Sequence, residues 1–351
     1  MVRFAWPLAG SLVLLYLSTN LTPLVISGAY PSLLAAFGLA NGFRILILSL
    51  PAAVAVPLFP HLVRLHRDQE YELVRAQTWR ALRYTAMAVI PGVVALVVYR
   101  VNFINIFFTA SWVSATSTPL ALLAVAAIPA ALSLIIGTAL NSIGQQRLEL
   151  YLTSIQLGVL VVGLVLFLPP VNLFYAQGIQ GLIGPSIAIL VSAVAGFAVS
   201  GYFLYRLLAI HIQLRSVGLI TVSAVVSFLV VSRLNSIVDV NRFYILLGAL
   251  LLGLVAYALT LALTGELAKV DLERIAGAFG IPHRVARAFA RVCWRATPIE
   301  VNVAAHGAAA GLRPGASPWD REDLGGSQPL PTSPSTGRDE TALPGESKPP
   351  S

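Results

Sequence analysis

The chain has 351 residues, of which 57% are hydrophobic and only 11% are charged, and its mean hydropathy is +0.81. Soluble domains carry about 25% charged residues, so this composition argues against a soluble domain. The formal net charge of +8 would suit nucleic acid. Membrane proteins, however, gather Lys and Arg in their cytoplasmic loops, and we therefore expect no nucleic-acid partner.

The apolar residues come in runs of about 20, which is long enough to cross the hydrocarbon core of a bilayer. Such runs must be helical, because lipid offers no partner to backbone N–H and C=O groups. The predicted fold is an all-α polytopic membrane helix bundle over residues 1–264. About eight spans are predicted, near residues 4–26, 37–59, 84–104, 118–140, 150–169, 180–204, 216–233 and 243–264. The first run follows Arg3 without a clear cleavage site, and we interpret it as a signal anchor.

Basic residues gather on one side of the predicted bundle. If the spans alternate, the opposite side carries only Arg100, Arg233 and Arg242. The positive-inside rule then places the chain in the cell membrane with both termini in the cytoplasm. An even number of spans leads to the same orientation. The basic residues of the crowded side are Arg64, Arg67, Arg75, Arg80, Arg83, Arg147, Arg206, Arg215, Lys269, Arg274, Arg284, Arg287, Arg291 and Arg295.

Two further regions follow the predicted bundle. Residues 265–300 form a basic cytoplasmic segment in which Arg284, Arg287, Arg291 and Arg295 share one helical face. This pattern predicts an amphipathic helix on the inner leaflet, held by anionic lipid, although a solvated basic helix has the same pattern. Residues 301–351 are rich in Pro, Gly, Ser and Thr and are predicted to be disordered.

Packing signals appear inside the spans. Pro51 and Pro129 lie within predicted spans, where proline either introduces a functional kink or is merely tolerated. Ser192, Gly196 and Ser200 recur every four residues in the sixth span. A stripe of small residues permits close helix packing and carries no information about a substrate.

The chain lacks the residue patterns of enzymes and metal sites. Cys293 is the single cysteine, and the five histidines show no ligand spacing. The nucleophile, zinc-protease and phosphate-loop motifs are absent, so we predict no enzyme activity, no metal and no cofactor. All fifteen acidic residues fall in loops, span ends or tails. This distribution argues against cation coupling through a carboxylate at membrane depth.

Arg44 is the exceptional charge, because it lies about two turns into the second predicted span. Facing a central cavity, its guanidinium would bind a phosphate or pyrophosphate; alternatively it extends to the outer headgroups. Asn41, Asn20 and Tyr30 lie at or near span ends. We predict them as further substrate-binding residues, with helix capping as the alternative role.

Several stretches together resemble one transporter family in their order and spacing. They are SGAYPSLLAAFGLANGFRILILSLPAAVAVPLFPHLVRLHRDQEYE, VIPGVVALVVYRVNFINIFF, IPAALSLIIGTALNSIGQQR, GIQGLIGPSIAILVSAV and LTGELAKVDLERI. Over residues 5–275 the chain resembles the C-terminal half of polysaccharide and oligosaccharide flippases. These flippases form part of the multidrug/oligosaccharidyl-lipid/polysaccharide exporter superfamily.

The resemblance implies two helix bundles around a central cavity, a lipid-linked saccharide substrate and contact of Arg44 with the lipid phosphate. Family members carry more spans than this chain, which supplies the later bundle and two extra helices. A truncated gene, or a second chain with the N-terminal bundle, would explain the difference. We predict a flippase-type transporter of lipid-linked oligosaccharide or polysaccharide precursors in contact with membrane lipids. A sugar-lipid transferase or polymerase, with Asp239 as its main candidate, and a non-transporting scaffold are the alternatives.

Overall fold

A computed structural model describes residues 2–108, 110–167, 181–208, 210, 214–237 and 243–264. These ranges contain helices and connections without a β-strand, which confirms the predicted all-α class. The predicted basic segment 265–300 and tail 301–351 lie outside the described residues, as does Asp239. The helices are α1 Val2–Ala29, α2 Leu34–Arg67, α3 Tyr71–Val98, α4 Arg100–Phe107, α5 Val113–Ser142, α6 Gln146–Phe167, α7 Ile183–Leu208, α8 Leu214–Ile237 and α9 Phe243–Leu263.

Each of the eight predicted spans coincides with a helix. Seven helices are long and apolar enough to cross a membrane, namely α1, α2, α3, α5, α6, α7 and α9. The predicted span 216–233 corresponds to α8, whose apolar part is the shorter stretch Gly218–Ser227. By length and composition, the described residues therefore contain seven helices that can span a membrane. The difference from the eight predicted spans is α8, whose apolar stretch is shorter.

The second and third helices are longer than their predicted spans. α2 continues to Arg67 instead of ending near 59, and α3 begins at Tyr71 instead of near 84. With 34 residues, α2 is about 51 Å long, whereas a hydrocarbon core is about 30 Å thick. Hydropathy locates the part of a helix that lies in lipid, so the polar continuation of both helices was missed. The predicted span 84–104 is also interrupted, because α3 ends at Val98 and the short α4 follows.

Two tight turns lie at the end of the bundle that we call the arginine-rich end. Between α2 and α3, Gln69 has φ 62° and the Glu70 N–H donates to Leu65 O at 3.0 Å. Between α5 and α6, Gly144 has φ 80° and the Gln145 N–H donates to Leu140 O at 3.1 Å. A residue with positive φ at the end of a helix turns the chain so that the following N–H group can donate to one of the last helical carbonyls. The opposite end, which holds the α1–α2 and α4–α5 connections, is called the short-loop end.

Helix α5 is the centre of the bundle and packs against α2, α3 and α7. Its buried residues include many alanines, which let neighbouring backbones approach closely. At the short-loop end, one core cluster joins Ile26, Phe37, Ile104 and Leu120. At the arginine-rich end, a second cluster joins Leu62, Val74, Ala81, Leu82, Leu140, Leu152, Leu204 and Leu208.

The predicted small-residue stripe of the sixth span is buried, as its packing role requires. Ser192 Oγ donates to Gln156 O on α6 at 2.8 Å. A Cβ added to Gly196 would lie 3.2 Å from Cδ of Gln156, and one added to Gly163 would lie 2.9 Å from Ala188 Cβ. Close contact between α6 and α7 therefore depends on the absence of larger side chains.

Helices α8 and α9 form a pair that is attached to α3. Ser227 Oγ on α8 donates to Gly253 O on α9 at 2.6 Å. Tyr257 Oη on α9 donates to Met87 O on α3 at 3.1 Å. Pro91 stands four residues after Met87 and has no N–H for that carbonyl. The tyrosine thus occupies a carbonyl that the proline leaves without its helical partner.

We expect Tyr257→Phe to lower the free energy of unfolding by about 1 kcal/mol, because the Met87 carbonyl then has no donor. In a Pro91→Ala background, the new backbone N–H of residue 91 can donate to Met87 O. Tyr257→Phe should therefore lower the free energy of unfolding much less in that background. Unfolding of the four variants in detergent micelles measures this coupling. An equal loss in both backgrounds would show that the Tyr257 hydroxyl contributes in some way other than its bond to Met87 O.

Candidate functional site

Arg44 lies on the face of α2 that points into the bundle. From Phe37 onward, the buried residues of this helix recur at steps of three, four or seven, as expected for one helical face. Arg44 continues that series, four residues after Ala40 and three before Ile47. Its side chain therefore starts between helices and not on the lipid-facing surface. The buried series comprises Phe37, Ala40, Ile47, Pro51, Ala55 and Leu62.

The Arg44 guanidinium is partly buried and makes one hydrogen bond in the described structure. Its Nη1 donates to Asn41 Oδ1 at 3.2 Å. Its Nε is buried and has no hydrogen-bond partner there. Asn41 lies one turn closer to the short-loop end, so the side chain extends in the direction that the headgroup alternative requires. The Arg44 side chain thus starts on the inward face of α2 and extends towards the short-loop end of the bundle.

Within the described ranges no carboxylate is paired with Arg44. The carboxylates of Asp68 and Glu72, which lie at the far end of α2 and the start of α3, bind Arg67 and Arg75 at 3.5 and 2.7 Å. An arginine that is partly removed from water without a counter-charge is costly. The remaining N–H groups and the uncompensated charge are therefore suited to an anion such as a phosphate.

Apolar groups surround this part of the bundle. Phe43 meets Phe103 edge to face, with ring centroids 5.7 Å apart. Ile47 belongs to a core cluster with Val93 of α3 and Ala124 of α5. Such surroundings have a low effective dielectric constant, which strengthens the attraction between a guanidinium and any anion that reaches it.

Two polar residues at the short-loop end were not singled out from the sequence. Asn105 Oδ1 on α4 and Thr116 Oγ1 on α5 are buried and lack hydrogen-bond partners in the described structure. α4 packs against α5, and both elements lie near the end of the bundle that contains Asn41. The only signal in the sequence was a polar residue inside an otherwise apolar stretch, which many capping residues also show.

The other two predicted site residues are not in contact with Arg44. Asn20 Nδ2 donates to Tyr16 O of its own helix at 2.8 Å, and the side chain is exposed. Tyr30 closes the α1–α2 connection, where its N–H donates to Ile26 O at 2.7 Å and its carbonyl accepts from the Leu33 N–H at 3.0 Å. Of the four predicted residues, the structure brings together Arg44 and Asn41. Substrate binding by all four stays a prediction.

A cavity of about 260 Å³ lies between α3, α8 and α9. Its walls are mostly apolar, which suits a hydrocarbon chain. Its lining includes Pro91, Gly92, Ala95, Ala224, Leu250 and Leu254. The opposite side of α3 carries Val89, Val93 and Leu96, which pack in the core cluster with Ile47. Helix α3 therefore separates this cavity from the Arg44 region.

We expect Arg44→Met to leave the free energy of unfolding unchanged or to raise it by about 1 kcal/mol, because it removes an uncompensated charge from the bundle. Chemical unfolding in detergent measures the change. Arg100→Met is the control, since Arg100 Nη1 donates to Val97 O at 2.8 Å and its replacement loses that bond. A clear loss of stability in Arg44→Met would indicate that the arginine is held for structural reasons.

Comparisons with known proteins were made for the whole chain. Residues 1–117 match the model of a family described as polysaccharide biosynthesis protein. No curated protein matches the chain. The structure is similar to the lipid II flippase MurJ in an inward closed conformation, with a TM-score of 0.62 and 17% sequence identity. The similarity covers 72% of this chain and 52% of the MurJ chain. An outward-facing multidrug resistance MATE family transporter of the MOP superfamily has 16% identity, coverages of 82% and 69%, and a TM-score of 0.40.

The similarity to the lipid II flippase shows that the chain shares the helical fold of part of that protein, and the chain spans about half of that structure's length, 52%. The family match covers α1 to α4 and the beginning of α5, and it includes Arg44 and Asn41. These findings confirm the predicted resemblance to polysaccharide and oligosaccharide flippases. The assignment to the C-terminal half of that family stays a prediction.

Proposed function

We propose that this chain acts in a flippase-type transporter that moves lipid-linked oligosaccharide or polysaccharide precursors across the cell membrane. The observation that carries the proposal is Arg44: a charge inside a flippase-type bundle, within the segment matched by a polysaccharide biosynthesis family, without a carboxylate partner among the described residues. A structural arginine would gain by pairing. A substrate-binding arginine must keep hydrogen-bonding capacity for the ligand.

In the proposed mechanism the substrate phosphate binds the Arg44 guanidinium, and Asn41 holds that group in position. The 3.2 Å contact uses Nη1, so the N–H groups that Asn41 does not engage remain for phosphate oxygens. Asn20 and Tyr30 would line the polar path taken by the saccharide near the short-loop end. The hydrocarbon tail would stay in the bilayer and use the apolar cavity between α3, α8 and α9.

Translocation in this proposal is a rocking of two helix bundles around the bound headgroup, as in other repeat-built transporters. This chain supplies one bundle, built around α5, and it covers 52% of the flippase structure it resembles. The other bundle would come from a second chain or a further part of the protein. No chemical step is required. We propose both termini on the cytoplasmic side because of the arginine distribution, and this orientation requires α8 to cross the membrane in addition to the seven long apolar helices.

Deletion of the gene should make lipid-linked saccharide accumulate while surface glycan falls. The wild-type gene should restore both quantities. Arg44→Met should not restore them although the protein is present in the membrane in normal amounts. Arg44→Lys should restore them in part, because Lys keeps the charge but cannot bind a phosphate through two parallel N–H groups. Extraction and mass spectrometry of the lipid-linked saccharides provide the measurement.

The matched control for this experiment is Arg100→Met, which removes an arginine that already donates to Val97 O. We expect it to restore surface glycan as the wild type does. Full complementation by Arg44→Met would remove Arg44 from the mechanism. If deletion changes neither lipid-linked saccharide nor surface glycan, and no second transporter compensates, the transport proposal itself fails.

A further inference from the structure

Exposed arginines at the arginine-rich end have an exposed tyrosine four residues away on the same helix. Residues four apart lie on one helical face, about 6 Å from each other along the axis. The pattern occurs on three helices of the bundle. The pairs are Arg80 and Tyr84 on α3, Arg147 and Tyr151 on α6, and Tyr202 and Arg206 on α7.

The order of the two residues follows the direction of the helix. Helices α3 and α6 begin at the arginine-rich end, and there the arginine precedes the tyrosine. Helix α7 ends at the arginine-rich end, and there the arginine follows the tyrosine. In these three pairs the arginine therefore lies one turn nearer the end of the bundle, with the tyrosine deeper. Tyr71 and Arg75 of α3 are also four residues apart but in the opposite order, and that arginine is bound to Glu72. A pattern that reverses with chain direction is tied to depth in the membrane and not to a local sequence preference.

The three pairs lie beside the same part of the core. Ala81 follows Arg80, Leu152 follows Tyr151 and Leu204 lies between Tyr202 and Arg206. All three apolar residues belong to the same core cluster at the arginine-rich end. We call the three pairs together the arginine–tyrosine collar.

The collar arginines are exposed and, in the described part of the chain, make no hydrogen bond or ion pair with protein groups. None of the carboxylates in the described residues is paired with a collar arginine. Asp68 and Glu72 bind Arg67 and Arg75. The Glu149 carboxylate packs against Gly137 of α5, where a Cβ would lie 2.8 Å from its Oε2. The collar therefore presents positive charge without matching negative charge.

Each collar tyrosine is accessible from outside the bundle. Tyr151 is 63% exposed and Tyr202 is 56% exposed. On a transmembrane helix this exposure is to lipid, and tyrosine is favoured where hydrocarbon meets the headgroups. That level places an arginine one turn further out among the lipid phosphates.

We propose that the arginine–tyrosine collar binds three anionic phospholipids, one on each Arg–Tyr pair. The guanidinium holds the phosphate through two N–H groups, and the tyrosine ring lies against the glycerol and the first methylene groups. A zwitterionic lipid binds less well, because its own ammonium competes for the phosphate and the collar offers no carboxylate to that ammonium. These sites face the surrounding bilayer and are separate from Arg44 inside the bundle, so they do not depend on the proposed function.

The number of bound lipids tests this proposal directly. The purified full-length chain is equilibrated with equal amounts of phosphatidylglycerol and phosphatidylcholine in detergent, and retained lipids are counted by native mass spectrometry. We expect up to three retained phosphatidylglycerols and one fewer in each of Arg80→Gln, Arg147→Gln and Arg206→Gln. Each lost arginine should weaken its site about fivefold.

The chain provides a control of equal charge. Arg80→Gln with Arg206→Gln and Arg67→Gln with Arg75→Gln both remove two positive charges, but the second pair removes arginines already bound to carboxylates. We expect the first double variant to lose two lipids and the second to lose none. Equal losses would show that retention follows net charge, and displacement of the lipids by millimolar inorganic phosphate would show a site for free phosphate; either result overturns the proposal.

Folding is checked separately for every variant by gel filtration and helix content. Triple replacement of the collar arginines by lysine keeps the charge and should keep phosphatidylglycerol selectivity with weaker retention. If this lysine variant folds and loses selectivity as completely as the glutamine variants, two-point binding of phosphate is required. If neither variant changes the lipid count, the collar does not bind lipid.

Discussion

Backbone groups inside a bilayer must find their partners within the protein, and the arrangement of this bundle follows from that requirement. Each proline in a helix leaves a carbonyl without its N–H donor. At Pro91 the carbonyl of Met87 is taken by Tyr257, which lies 170 residues further along the chain. The same bond attaches the α8–α9 pair to the central bundle. A local defect in α3 thus specifies a long-range contact, and that contact joins α3 to α9, two of the three helices that line the apolar cavity.

The same requirement makes Arg44 informative. Its guanidinium lies among apolar residues, and its one described hydrogen bond is to Asn41 on the same helix. A bundle selected only for stability would place an apolar side chain on this buried face, between Ala40 and Ile47. The chain instead keeps an uncompensated charge, the Arg44 guanidinium, on this face of α2. Binding sites often lower the stability of a protein, because their hydrogen-bonding groups must remain available to a ligand.

Much of the fold follows from hydropathy, since the eight apolar runs all correspond to helices. The pairing of Arg44 with Asn41 is also accessible from sequence, because residues three apart on a helix are neighbours. Other features were not. The ends of α2 and α3 are polar and lie beyond the apolar runs, so hydropathy placed them in a loop. The contact between Tyr257 and Met87 depends on how distant helices meet, and a single sequence contains no periodicity that reports it.

The structure also distinguishes among the arginines at one end of the bundle. The positive-inside rule counts arginines in connections and gives an orientation, but it assigns them no individual role. In the structure, five of these arginines fall into two groups. Arg67 and Arg75 are paired with carboxylates of the polar α2–α3 extension, while Arg80, Arg147 and Arg206 stand one turn outside exposed tyrosines. We propose that the second group binds lipid phosphates. Charge that appears uniform in the sequence thus separates into arginines that have a carboxylate partner and arginines that have none among the described residues.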